Sequence, residues 1–222
     1  MKSVLMSVQP KWCEKIAHII GKNGTKPIYE KSVEIRKTRP KIETPFKCYI
    51  YCTQGKFKDL GVIGNEMYQK RMKVIGEFVC DDIKPFESEF VDDNCYEFIA
   101  SLDYDEDGDA TGFIEWSNDS EIPYESTDFY KKCCVKYEEL KKYIGLGIND
   151  FYAWHISNLV IYDKPKELSE FKKECKLECD MRSLDNPPCD KCEDLVKSFG
   201  CGRTITRPPQ SWCYVERKDD EK

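Results

Sequence analysis

Histidine is almost missing from this 222-residue chain, which has two, His18 and His155. Neither stands at a telling spacing from a second His, an acid or a Cys, so a His general base or a His-activated thiolate finds no support in the sequence. Long apolar runs are missing as well. That argues against a helical membrane span, and Met1 to Ser7 is too short and too soon polar to act as an export signal. A cytoplasmic protein is expected. Positive charge is missing from one place: residues 81–128 hold Lys84 alone against 17 Asp and Glu, a net charge of −16. The overall charge of −6 therefore hides a basic N-terminal part, because residues 1–80 hold 16 Lys and Arg against 7 Asp and Glu. A basic face suits a polyanion, whereas the acidic block could cover that face, imitate a polyanion or keep the protein soluble.

Cysteine is what the chain has in excess, with 13 residues. An odd count without an export signal points to reduced thiols or a metal site rather than a disulfide scaffold. Cys175, Cys179, Cys189 and Cys192 lie at short separations, with Asn186-Pro187-Pro188 and Gly200 as turns. They are the candidate ligands of a tetrahedral structural zinc, with unligated thiols as the alternative. Asp103 to Asp109 matches the first half of a calcium loop. The second half fails, since position twelve would be Ile114 with Glu115 one residue late, and a solvated acidic loop is expected.

The chain is organised around Lys31-Ser32-Val33-Glu34-Ile35-Arg36-Lys37-Thr38-Arg39-Pro40. Val33 and Ile35 alternate with Glu34 and Arg36, the period of a half-buried strand that Pro40 ends. Its polar face holds a carboxylate and a guanidinium pointing the same way. Arg offers a planar fork for phosphate or a base edge, and Glu34 can hold that fork or accept from an amino group. The alternative is a solvated face with a cross-strand ion pair.

Around this strand the pattern predicts a first strand at Val4 to Val8 and a helix after Pro10 that stops at Gly21, with Trp12 as a core anchor. The run Lys47 to Thr53 is expected to pair with the organising strand across the turn near Pro40 to Pro45, and Val74 to Cys80 forms another strand. One helix is expected over Tyr130 to Tyr143. A long strand lies within Phe151 to Tyr162, Pro165 closes it, and His155 is a hydrogen-bonded structural residue. Trp212 and Tyr214 sit in a closing strand, and the tail 217–222 frays. This gives a single α+β domain over 1–216, with an acidic insertion at 81–128 and a Cys-rich insertion at 172–203.

This order of elements, together with Ser7-Val8-Gln9-Pro10-Lys11-Trp12, Lys31 to Lys37, Tyr49-Ile50-Tyr51-Cys52-Thr53, Trp154-His155-Ile156-Ser157 and Thr206 to Glu216, resembles the ASCH family of the PUA-like superfamily. The blocks look most like ASCH-like proteins carried by phages and prophages of Gram-positive bacteria. The resemblance implies a small mixed β-barrel with flanking helices, associated with RNA and modified nucleosides. It does not cover the acidic segment. Some members of the family remove an acyl group from N4-acetylcytidine with a Lys, a Thr three residues later and a separate Glu. Here Lys31 falls on the Lys and Glu34 on the Thr. A carboxylate there is a poorer route to acyl transfer than a hydroxyl and suits recognition better.

The expected function is therefore a binding module for RNA, a nucleotide or a modified nucleobase. Its candidate ligand-binding residues are Lys31, Glu34, Arg36 and Lys37, with Trp154 or Trp212 as a stacking platform. The alternatives are an amidohydrolase in which Lys31 and Glu34 handle protons, and a phage-encoded factor whose acidic segment occupies a basic groove on a host protein.

Overall fold

The computed structural model describes residues 3–18, 28–56, 63–91, 97–109, 111–173 and 204–216. The chain is α+β. One five-stranded sheet contains β1 (Ser3–Val8), β3 (Phe46–Cys52), β4 (Lys73–Cys80), β9 (Ser157–Lys166) and β10 (Trp212–Val215), in the order β10-β1-β3-β4-β9. The other contains β2 (Val33–Arg36), β5 (Ile83–Phe90), β6 (Phe98–Ser101), β7 (Phe113–Ser117) and β8 (Gly147–His155), in the order β2-β8-β5-β6-β7. The helices described are α1 (Pro10–Ile16), α2 (Asn65–Gln69), α3 (Asp128–Cys133) and α4 (Tyr137–Ile144), and none is long and apolar enough to cross a membrane.

Two open sheets thus stand where a closed barrel is expected. They share a bent two-stranded ribbon. β4 runs through Asp81 and Asp82 into β5, and β8 runs through Ile156 into β9, so that β4 pairs with β9 in one sheet and β5 with β8 in the other. At the bend the His155 N–H donates to Asp82 O (2.9 Å), and Asn158 takes a left-handed φ of 47°. The single long strand expected over Phe151 to Tyr162 is for this reason two strands in two sheets. Pro165 lies inside β9, at a sheet edge where its missing N–H costs no ladder bond.

Three other expectations change. β3 does not pair with β2. It lies parallel to β1 and antiparallel to β4, while β2 pairs with β8. The Pro-bearing segment between them is too long for a tight hairpin and carries the chain from one sheet to the other. The helix expected over Tyr130 to Tyr143 is broken at Cys134, whose φ of 55° ends α3 before α4 begins. The acidic segment is not merely a loop set on a finished domain, because β5 lies between β8 and β6 and sends Phe86 and Phe90 into the core. Within it, Asp103 to Asp109 is an exposed turn in which Asp105 Oδ1 accepts from the Asp107 and Asp109 N–H groups (3.1 and 2.8 Å).

Between the sheets lies a core of Val4, Met6, Val8, Cys48, Ile50, Ile75, Phe78 and Trp154, with α1 contributing Cys13 and Ile16. A second core packs Val33, Ile35, Phe86, Phe90 and Phe151 against α3 and α4 through Phe129, Leu140 and Ile144. β4 and β9 approach closely: a Cβ on Gly76 would lie 2.4 Å from Val160 O.

On the first sheet Glu77 accepts from Lys47 Nζ (2.8 Å) and from Tyr162 OH (2.5 Å). Burial alone would raise its pKa, but these two hydrogen bonds and the Lys47 charge outweigh it and hold the carboxyl below its ordinary value. A depressed folded-state pKa contributes stability that is present above the unfolded pKa and lost as pH falls through the folded one. Glu77→Gln is accordingly expected to flatten the acid side of a plot of urea midpoint against pH. The two proteins should draw together as pH falls below the ordinary carboxylate range. Equal acid slopes would contradict this assignment.

Candidate functional site

β2 is buried on both faces. Val33 and Ile35 enter the second core, while Glu34 and Arg36 point to the other side, in register with Trp154 and Tyr152 of β8. The half-buried strand expected from the alternation is corrected accordingly: the polar face is covered, not solvated. Lys31, Glu34 and Arg36 form one buried cluster, with side-chain exposures of 1, 8 and 8 %. Arg36 Nη2 lies 3.0 Å from Glu34 Oε1 and donates to Ser7 O (2.8 Å). Lys31 Nζ lies 3.2 Å from Glu34 Oε2, without the alignment of a hydrogen bond, and donates to Cys133 O (2.6 Å).

Three polar atoms on this one face are buried and have no hydrogen-bond partner among the described residues: Glu34 Oε2, Arg36 Nε and Trp154 Nε1. Buried polar atoms left unpaired are costly, and they are concentrated here on two directly paired residues and a near neighbour.

α1 forms the adjacent wall. The ammonium groups of Lys11, Lys15 and Lys31 lie 4.5, 4.8 and 5.3 Å from the centre of the Trp12 ring, and Trp12 is half-buried between both cores. Trp12 thus anchors the core, as expected, but it also gathers cations. Lys11 pairs with Glu139 of α4 (2.5 Å), which ties the two helices together. Lys15 Nζ donates to Cys134 O (2.7 Å). Burial lowers the Lys15 pKa, and the Lys31 charge adds to that effect.

Lys15 and Lys31 therefore satisfy carbonyls at the C-terminal end of α3, where the helix macrodipole favours cations. Lys37 does the same at α4, donating to Ile144 O (3.0 Å) beside the Tyr143 ring. Part of the basic character of the organising strand is thus spent inside the fold. Of the two tryptophans expected to stack, Trp154 is fully buried against Phe46 and Trp212 and has no open ring face. Trp212 is half-buried and donates to Thr38 Oγ1 (3.0 Å).

The structure brings together Lys31, Glu34, Arg36 and Trp154, and leaves Lys37 and Trp212 at the edge of this group. It adds Trp12, Lys11, Lys15 and Glu139, for which the sequence offers only the signal of lysines flanking a Trp. His155 Nδ1 lies 2.6 Å from Asp81 Oδ1 on the outside of the bent ribbon, 74 residues apart in sequence and without any local signal. The hydrogen bond from His155 holds the Asp81 carboxyl below its ordinary range, although burial opposes it slightly.

The seven described cysteines are free. Burial pushes up the thiols of Cys13, Cys48, Cys133, Cys134 and Cys213, and that of Cys80 to about 12, so these are poor nucleophiles. Cys175, Cys179, Cys189 and Cys192 lie outside the described residues. Among the described residues no group of three or more His, Cys, Asp or Glu converges as metal ligands would. Compared with protein-family models, with curated proteins and with solved structures, the chain matches none.

Proposed function

We propose that the protein is a binding module for a nucleotide or a modified nucleobase, free or within RNA, whose base edge meets Glu34 and Arg36. The observation that carries this reading is that Glu34 Oε2 and Arg36 Nε, an acceptor and a donor within one ion-paired cluster, have no hydrogen-bond partner among the described residues. A base edge presents the complementary donor and acceptor. Lys15 and Lys31 beside Trp12 supply positive charge at the wall, and the half-buried Trp212, rather than the closed Trp154, is the candidate stacking surface. The same reading keeps the chain with the ASCH group of PUA-like proteins on the residues quoted above.

Native mass spectrometry of the purified protein tests this proposal. A co-purified nucleotide or nucleoside is expected in the wild type. Arg36→Lys keeps the charge but loses the planar fork, and should weaken binding roughly tenfold to a hundredfold, the value of one or two hydrogen bonds to a charged group. Wild-type protein that neither retains nor takes up any nucleotide or nucleoside would overturn the reading. Turnover of an N-acylated cytidine, lost in Glu34→Gln with binding kept, would establish the amidohydrolase instead. The same spectra, taken before and after a chelator, test zinc at Cys175, Cys179, Cys189 and Cys192.

A further inference from the structure

The strands that end the two sheets are not protected alike. β10 is backed by further chain: Lys173 bridges Val215, and the Glu216 N–H donates to Lys172 O (3.1 Å). β9 ends in Lys164-Pro165-Lys166, the charge and proline pattern that blunts an edge. β2 is flanked by α3, and the Ser32 N–H just before it donates to Lys132 O (3.0 Å). β7 has neither a covering segment nor a Lys-Pro-Lys end among the described residues, only Glu115 at an irregularity in its pairing with β6. It reads Phe-Ile-Glu-Trp-Ser, with neither Pro nor Lys, and from Phe113 to Trp116 its backbone pairs only with β6 among the described residues.

Phe113 and Ile114 are each 54 % exposed, adjacent, and therefore on opposite faces of the strand. Exposed acids flank them in sequence, Asp107 and Asp109 before the strand and Asp119 and Glu121 after it. Lys84, the lone cation of the acidic segment, lies 5.0 Å from the Phe113 ring and 3.9 Å from Asp103.

We propose that β7 is a docking edge for an extended, Lys- or Arg-rich segment of a partner protein, which adds a sixth strand to this sheet. Main-chain hydrogen bonds to the free edge supply the pairing. The apolar face of the segment covers Ile114, on the side of the sheet away from Phe113 and Lys84, and its cations face the flanking acids. A second copy of this chain would bring two acidic rims together, and the like charges disfavour it. This edge lies at the opposite end of the sheet from β2. The proposal does not depend on what binds at Glu34 and Arg36.

The test uses the full chain and a fluorescent peptide of eight residues alternating Lys and Val, with a peptide alternating Glu and Val as control. Anisotropy should show saturable binding of the Lys peptide, weakened at least tenfold by 0.5 M salt and absent for the Glu peptide. Hydrogen exchange should slow at residues 113–117 when the Lys peptide binds. Ile114→Pro removes an edge N–H and Ile114→Lys places a charge on the edge at an exposed site. Each should weaken binding at least tenfold, and the Lys variant keeps the assay valid if the Pro variant misfolds. Equal binding by Ile114→Lys, equal binding of the Glu peptide, protection confined to other residues, or a dimer that Ile114→Lys abolishes would each overturn the proposal.

Discussion

Glu34→Ala is expected to destabilise the protein by about 3–5 kcal/mol, the cost of leaving a buried charge without its partner. Here two charges are left: Lys31 and Arg36 both face Glu34, and all three side chains are at most 8 % exposed. The comparison that identifies the cause is Lys31→Met, which removes one cation and leaves Glu34 and Arg36 as a balanced pair. Its loss is the hydrogen bond to Cys133 O, roughly 1 kcal/mol, offset in part by the easier burial of a methionine. Urea unfolding of the two variants measures both. A Glu34→Ala loss no larger than that of Lys31→Met would mean that the cluster is not electrostatically closed as described. The contrast also separates stability from binding, because Lys31→Met should fold well enough for its ligand affinity to be read.

Gly76→Val is expected to cost about 3 kcal/mol or more, at the upper end of overpacking effects. The obstacle is backbone, not a movable side chain: the new Cβ would meet Val160 O at 2.4 Å and Ile161 Cα at 3.1 Å. Relief requires β9 to part from β4, which loosens one half of the ribbon that joins the sheets. Gly108→Ala is the matching control. Its φ of 86° strains an alanine, but nothing among the described residues lies within 4 Å of the new Cβ, so the expected cost is that of strain, about 1–2 kcal/mol. Thermal unfolding of the pair should place Gly76→Val well below Gly108→Ala. A reversed order would show that β4 and β9 are not held at this distance.

Several elements were legible before the fold was known. Pro10 and the spacing of Trp12 and Ile16 mark α1, and the β-branched and aromatic runs mark β1, β3 and β4. The alternation of Phe86, Ser88 and Phe90 with Glu87 and Glu89 in β5 is just as regular. It was obscured by the density of acids around it, since charge suggests solvent even where one face is apolar. The break at Cys134 had no local warning, because neither Gly nor Pro stands there; Lys15 and Lys31, 100 residues and more away in sequence, meet the carbonyls that the break exposes.

The sequence by itself determined which side chains share a face: Glu34 with Arg36, Val33 with Ile35, and the separation of basic and acidic segments along the chain. Only the tertiary structure decided whether a face is wet or dry, which strand lies next to which, and that Glu34, Arg36 and Trp154 hold their unpaired atoms in one place. The reason is physical. Periodicity of two records the geometry of a single strand, whereas burial depends on what a second layer, distant in sequence, lays over it.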